Sequence, residues 1–232
     1  MTNYEAPSEA DNHQQSRLYL TLPQTVRWRN QLAAIADSPL WASGSRLLAP
    51  APRLDGVRER TIVTHPDLLD RFRSSATDLP PILSEHPDVA ATVSTDVLAA
   101  VAELGTATAA RLPIPHDRRR QLTLGAFQFT AMSAAGAARG KHCDNWRHGD
   151  LILTVIVRGA GVVTVERAEA ATHAERVATP IMRLLRAGNA YALFDEGLPS
   201  PRGLRPARHA VTAHDGDRLS ITYRFVGWTN PA

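Results

Sequence analysis

From position 121 onward the chain keeps one texture. Short runs of aliphatic and β-branched residues are each closed by glycine, proline or aspartate. Runs of this kind predict strands separated by turns. Eight are expected, at about 121–131, 139–143, 150–157, 161–166, 180–186, 189–194, 207–213 and 217–226. Gly159-Ala160-Gly161 and Ala187-Gly188-Asn189 mark tight connections, and 195–206, with three prolines and two glycines, marks a longer loop. Eight short strands in succession predict a sandwich or jelly roll. Before position 121 the spacing is mostly helical. The segment 24–37 places Val26, Trp28, Leu32 and Ile35 on one stripe. The segment 57–63 alternates as a strand does. His65-Pro66-Asp67 and His86-Pro87-Asp88 read as helix starts, because proline and acidic residues are favoured in the first turn. Those helices are expected to run to about 75 and about 112. The second buries Val89, Val93, Val97, Leu98 and Val101, and Pro113 and Pro115 end it. Residues 1–18 are polar and aperiodic, and are expected to be disordered or loosely attached. Residues 19–232 then form a single domain of the α+β class. In it, 19–118 is mainly helical support and lid, and 119–228 is a jelly-roll core with the helices packed on one sheet.

Composition narrows the function classes. The chain has 232 residues, 44% hydrophobic and 21% charged, which is ordinary for a globular domain. Its single cysteine, Cys143, excludes an intrachain disulfide and a thiolate-rich zinc cluster. No apolar run has the length of a membrane span, and the start is polar rather than signal-like. A soluble cytoplasmic protein with no membrane partner is expected. Net charge is only +3, and one basic residue of 26 is a lysine, Lys141. Arg118-Arg119-Arg120 and the set Arg202, Arg205, Arg208 are the local basic clusters. Nucleic-acid binders concentrate such charge on one face, so these clusters read as solvated loops.

The candidate chemistry sits in the β-rich half. His-x-Asp on a strand puts both side chains on one face, where an imidazole and a carboxylate can share a metal. The pattern occurs four times. The copies at 65 and 86 contain proline and open helices, and His148-Gly149-Asp150 is explained as a turn. His142 and Asp144 are therefore preferred. His209, in a short strand-like run, is the proposed third ligand, because His214-Asp215-Gly216-Asp217 reads as a hairpin turn. Two histidines and one carboxylate are the donor set of non-haem Fe(II) oxygenases. The last strand alternates Arg218, Ser220, Thr222 and Arg224 with Leu219, Ile221, Tyr223 and Phe225. Two readings of that polar face stand open: it lies in water, or it lies inside a barrel where buried guanidinium groups need an anion. Trp146, Tyr191 and Arg208 are candidates for substrate contact.

His142-x-Asp144, then His209, then Arg218-x-Ser220-x-Thr222-x-Arg224 resembles the Fe(II)/2-oxoglutarate dioxygenase superfamily. In its two-arginine last strand it is most similar to the AlkB-like branch. The resemblance spans roughly 122–226 and implies a double-stranded β-helix. It also implies iron on His142, Asp144 and His209, and 2-oxoglutarate and dioxygen as co-substrates. Arg218 and Ser220 would take the distal carboxylate of 2-oxoglutarate, and Arg224 would lie near its other end or near Asp144. Gln128 would add a polar contact. AlkB-type enzymes carry asparagine where Ser220 stands, and the Asn-x-Tyr pair that they place ahead of His-x-Asp is replaced by Ala131-Met132-Ser133. Arg-x-Ser is similar to branches that oxidise small molecules. Asp144 speaks against the halogenases of this superfamily, which lack that carboxylate. The expected function is hydroxylation or oxidation of a small molecule or peptide in specialised metabolism. Oxidative dealkylation of nucleic acid is the alternative, and a non-enzymatic cupin-like ligand- or metal-binding protein stands behind both.

Overall fold

The strands expected from short apolar runs and turn residues pair into two sheets facing each other across a cavity. The computed structural model describes residues 17–23, 25–73, 79–112, 122–142, 151–165, 181–194 and 209–227. Its strands are β1 (Arg17–Thr21), β2 (Ala49–Pro50), β3 (Val57–Val63), β4 (Ile82–Leu83), β5 (Thr123–Met132), β6 (Ala138–His142), β7 (Leu151–Arg158), β8 (Ala160–Val165), β9 (Ile181–Arg186), β10 (Asn189–Phe194), β11 (His209–Ala213) and β12 (Arg218–Val226). Its α-helices are α1 (Val26–Ala36), α2 (Leu69–Arg73), α3 (Pro87–Thr92) and α4 (Thr95–Ala109). The larger sheet runs β1-β10-β7-β12-β5-β3-β2, with β4 beside β3, and the smaller runs β6-β11-β8-β9. Neighbours are antiparallel, except for the parallel pair β3 and β4. The eight strands expected after position 121 all form, within two residues of their expected limits. None of the helices among the described residues is long and apolar enough to cross a membrane.

The first half departs from expectation at three places. The helix expected from 86 to about 112 is two helices, because Val93 is extended and Ser94 starts a new one. The Ser94 hydroxyl accepts from the Val97 N–H at 3.3 Å, which satisfies one of the open donors of that first turn. The apolar spacing runs across the break and hides it. Val26, assigned to the buried stripe of α1, is 63% exposed, whereas Ile35 is fully buried. Val26 is the first residue of α1, and the buried residues of that helix, Ile35 and Ala36, are at its other end. Arg17 and Leu18, read as part of a loose terminus, belong to β1, which pairs with β10 at the sheet edge. Residues 1–16 lie outside the described residues.

β12 carries the fold because it is buried on both faces. β5 and β7 flank it in the larger sheet. Its apolar side, Leu219, Ile221, Tyr223 and Phe225, joins Ile35 of α1 and Val101 and Leu104 of α4 in the main core. α4 comes close there because residue 105 is glycine: a Cβ on Gly105 would sit 2.3 Å from the Tyr223 ring. That ring is fully buried and cannot swing away. Burial also pushes the Tyr223 phenol well above its ordinary titration range. Gly105→Ala is therefore expected to destabilise the protein by about 1–3 kcal/mol despite alanine's better helix propensity. Calorimetry would register this as a Tm lower by several degrees, and an unchanged Tm would mean that α4 is not seated on Tyr223.

Candidate active site

The cavity between the sheets follows from strand parity. Residues two apart on β12 point the same way, so with the apolar set against the helices, Arg218, Ser220, Thr222 and Arg224 face inward. Gln128, Thr130 and Met132 of β5, Ile152 and Thr154 of β7 and Tyr191 of β10 extend that inner face. Arg139 and His142 of β6 and His209 and Val211 of β11 close it from the smaller sheet. The space between these atoms is about 440 Å³, its open mouth included. Arg218 and Ser220 are each 2% exposed and Arg224 is 6% exposed, so the polar side of β12 is out of water.

The two histidines meet across a strand pair. His142 and His209 are register partners of β6 and β11, and their ring centroids are 4.3 Å apart. A bulge produces this meeting. Val211, two residues past His209, pairs with Arg139, which is three residues before His142. The extra residue on β6 resets its parity and turns both Arg139 and His142 into the cavity, the use to which bulges beside functional sites are put. His142 Nδ1 lies 2.8 Å from the Gly140 carbonyl oxygen. A carbonyl only accepts, so Nδ1 carries the proton, and in the neutral ring Nε2 carries the lone pair. That tautomer is the one a metal ligand needs.

Arg218 is the anomaly of the site. Its Nη1 donates to Ser220 Oγ at 2.9 Å and lies 3.7 Å from the Met132 sulfur, and its Nε has no hydrogen-bond partner among the described residues. Burial lowers the guanidinium pKa, and the nearby Tyr191 phenol pushes it back up. Room for this side chain comes from the opposite sheet. A Cβ on Gly161 of β8 would stand 2.6 Å from Arg218 Cδ and 2.7 Å from Nε. A buried cation without a carboxylate is costly, and the pocket around it is open to an anion.

A second polar group fills the other end. Arg224 Nη2 donates to Gln128 Oε1 at 3.2 Å, and Gln128 Nε2 donates to Glu59 Oε2 at 2.8 Å. Arg139 Nη1 donates to the same carboxylate oxygen at 2.9 Å. Thr154 and Thr222 share a hydrogen bond of 2.9 Å between hydroxyls on neighbouring strands. Glu59 and Arg139 were not among the sequence candidates. A signal for Glu59 was available: it holds the same parity as Val57, Thr61 and Val63, the inward face of β3. Arg139 gave none, because simple alternation puts it opposite His142.

Of the sequence candidates, the structure brings together His142, His209, Gln128, Arg218, Ser220, Arg224 and Tyr191 around one cavity. Tyr191, assigned to substrate contact, lines the same cavity as Arg218. Asp144, Trp146 and Arg208 lie outside the described residues. Among the described residues no set of three histidine, cysteine or carboxylate side chains closes on one point. His214, set aside as a turn residue, is in the β11–β12 connection beside Asp215, with its side chain 54% exposed.

No protein-family model and no curated protein matches the sequence. Solved structures do match its shape. The non-heme alpha-ketoglutarate-dependent epimerase SnoN of nogalamycin biosynthesis superposes with a TM-score of 0.54 at 12% identity, over 94% of this chain and 80% of that one. The fold is a jelly roll similar to that of this enzyme. A prolyl hydroxylase from Trichoplax adhaerens, bound to a hypoxia-inducible-factor peptide, matches this oxygenase fold with a TM-score of 0.50 at 12% identity, over 94% of this chain and 86% of that one. At such identity the likeness concerns the backbone, and function rests on the site itself.

Proposed function

We propose that the chain is an Fe(II)- and 2-oxoglutarate-dependent oxygenase acting on a small molecule or a peptide. The observation that carries this reading is Arg218, a guanidinium 2% exposed, without a carboxylate partner among the described residues, in the cavity that also holds the His142–His209 pair. A dicarboxylate with one end on Arg218 and the other toward the histidines satisfies both features. The donor set fits iron: two imidazoles in contact, one with its tautomer fixed, and Asp144, which the sequence puts two residues past His142. His142, His209 and Asp144 would hold the metal, and iron when bound supplies the redox chemistry by which dioxygen oxidises both 2-oxoglutarate and the substrate.

The remaining roles belong to the chain. Arg218 anchors the distal carboxylate with paired N–H donors. Ser220 Oγ already accepts from Arg218, so its own proton is available to the same carboxylate. Tyr191 lines the same cavity and is available to the substrate. Arg224, held by Gln128, supplies positive charge towards the nearer end. Met132, Ile152 and Val211 keep the cavity walls apolar, which limits water around the reacting groups. In net terms one dioxygen yields hydroxylated substrate, succinate and CO2.

Arg-x-Ser, with that hydroxyl on the guanidinium, favours the small-molecule branches over AlkB-like dealkylation of nucleic acid. The two solved structures of similar fold are named for nogalamycin biosynthesis and for a prolyl hydroxylase with a bound peptide, in keeping with a small-molecule or peptide substrate. Succinate release from 2-oxoglutarate under Fe(II) and air, screened over amino acids, nucleosides, peptides and alkylated oligonucleotides, tests the reading. Iron-dependent succinate formation is expected, rising with one substrate class. A protein that binds iron yet never decarboxylates 2-oxoglutarate is a cupin-like binder instead.

A further inference from the structure

We propose that Glu59 is the positioning residue that holds both halves of this site, the metal half through Arg139 and the co-substrate half through Gln128. This rests on the oxygenase reading and adds to it a residue that is not among the side chains lining the cavity. Glu59 sits on β3, away from the strands that carry the histidines and the arginines, and its side chain is 3% exposed. One carboxylate oxygen, Oε2, accepts from Arg139 Nη1 at 2.9 Å and from Gln128 Nε2 at 2.8 Å, and Oε1 accepts from Arg139 Nη2 at 3.5 Å. Both partners act on the cavity, and each transmits a different constraint.

Through Gln128 the constraint is one of orientation. An ionised carboxylate donates nothing, so the Gln128 NH2 has to face Glu59 and its carbonyl oxygen has to face the other way. That oxygen is where Arg224 Nη2 donates. Were Gln128 turned over, it would present N–H to a guanidinium that has only N–H to offer. Glu59 thus fixes a neutral amide so that a cation can be held at a stated point.

Through Arg139 the constraint reaches the smaller sheet. Glu59 is on the larger sheet and Arg139 on β6, so the pair spans the gap between the two. Arg139 lies on one side of the β6 bulge and His142 on the other. A bulged strand has a locally broken ladder, so a side chain pinned just before the bulge limits how the segment carrying His142 can shift. Buried ion pairs are poor sources of net stability, and apolar replacements are often neutral or better. A positioning role accounts for this pair where a stability role does not.

The test uses binding to the full chain and needs no turnover. Co(II) titration followed by visible absorption reports the metal half, 2-oxoglutarate titration at saturating Co(II) reports the other, and calorimetry reports Tm. Glu59→Gln is expected to weaken Co(II) about tenfold, in the range seen when the hydrogen-bond partner of a ligand is removed, and to weaken 2-oxoglutarate severalfold. The two arms separate in single variants. Arg139→Gln is expected to weaken Co(II) alone, and Gln128→Leu 2-oxoglutarate alone. These two keep the proposal testable should Glu59→Gln fail to fold. Wild-type affinities in Glu59→Gln, or the same loss of both ligands in Arg139→Gln and Gln128→Leu, overturn the proposal while leaving the oxygenase reading intact. Wild-type protein that binds neither Co(II) nor 2-oxoglutarate overturns the oxygenase reading, and this one with it.

Discussion

Arg218→Met is expected to raise the melting temperature while removing 2-oxoglutarate binding. The two effects have one cause. The Arg218 guanidinium is buried with Ser220 and Met132 as its hydrogen-bonding neighbours and no carboxylate among the described residues. Methionine fills much of the same channel beside Gly161 and carries no charge to desolvate. Replacing a buried charge by an apolar side chain of similar volume is worth about 1–4 kcal/mol in favourable cases, or roughly 3–10 °C in Tm for a chain of this size. The same change strips the co-substrate of its anchor, and loss of one partner of a buried charge pair costs about 2–5 kcal/mol, roughly thirtyfold to a few thousandfold in Kd. The gain in Tm should not vary between about pH 6 and 9. Burial depresses the folded-state pKa of a cation here, so the penalty is present wherever the group is protonated and is relieved only as pH rises through that pKa. An arginine pKa lies far above this window even when lowered. A Tm that falls, with 2-oxoglutarate affinity intact, would make Arg218 an ordinary structural residue.

His209→Ala and His142→Ala are each expected to abolish metal-dependent succinate formation and to weaken Co(II) by more than the 10–100-fold that follows loss of a ligand's hydrogen-bond partner. Asp144→Ala is expected to do the same. The control is His214→Ala: that imidazole is exposed in the β11–β12 connection, and its removal should leave Co(II) affinity at the wild-type value. His209 is 4% exposed and His142 is more open, so His209→Ala should also lower Tm slightly and His142→Ala should not. Full metal-dependent turnover in any of the three ligand variants would remove that residue from the metal site.

The β-rich half was legible because its strands are short apolar or alternating runs closed by strong turn residues. β12 shows this best: its two faces could be read from sequence, but which of them met water could not. The structure resolves that choice by covering the apolar face with α1 and α4, which leaves the polar face no place except the cavity. The break between α3 and α4 escaped because Ser94 interrupts the backbone without interrupting the apolar spacing. The β6 bulge escaped for a related reason. Parity rules assume an unbroken ladder, and one extra residue between Arg139 and His142 reverses them. Glu59 is charged at an inward position of β3, a signal that acquires meaning only once β3 is known to lie beside β5.

The central claim is that one cavity binds a metal and a dicarboxylate together, the metal on the histidine pair and the dicarboxylate on Arg218. Anaerobic calorimetric titration of 2-oxoglutarate into the purified chain, with and without Fe(II), tests it most directly. The account predicts a single site whose affinity rises steeply when Fe(II) is present, and which disappears in both Arg218→Met and His209→Ala. Binding that is indifferent to the metal, or no binding in its presence, would contradict it.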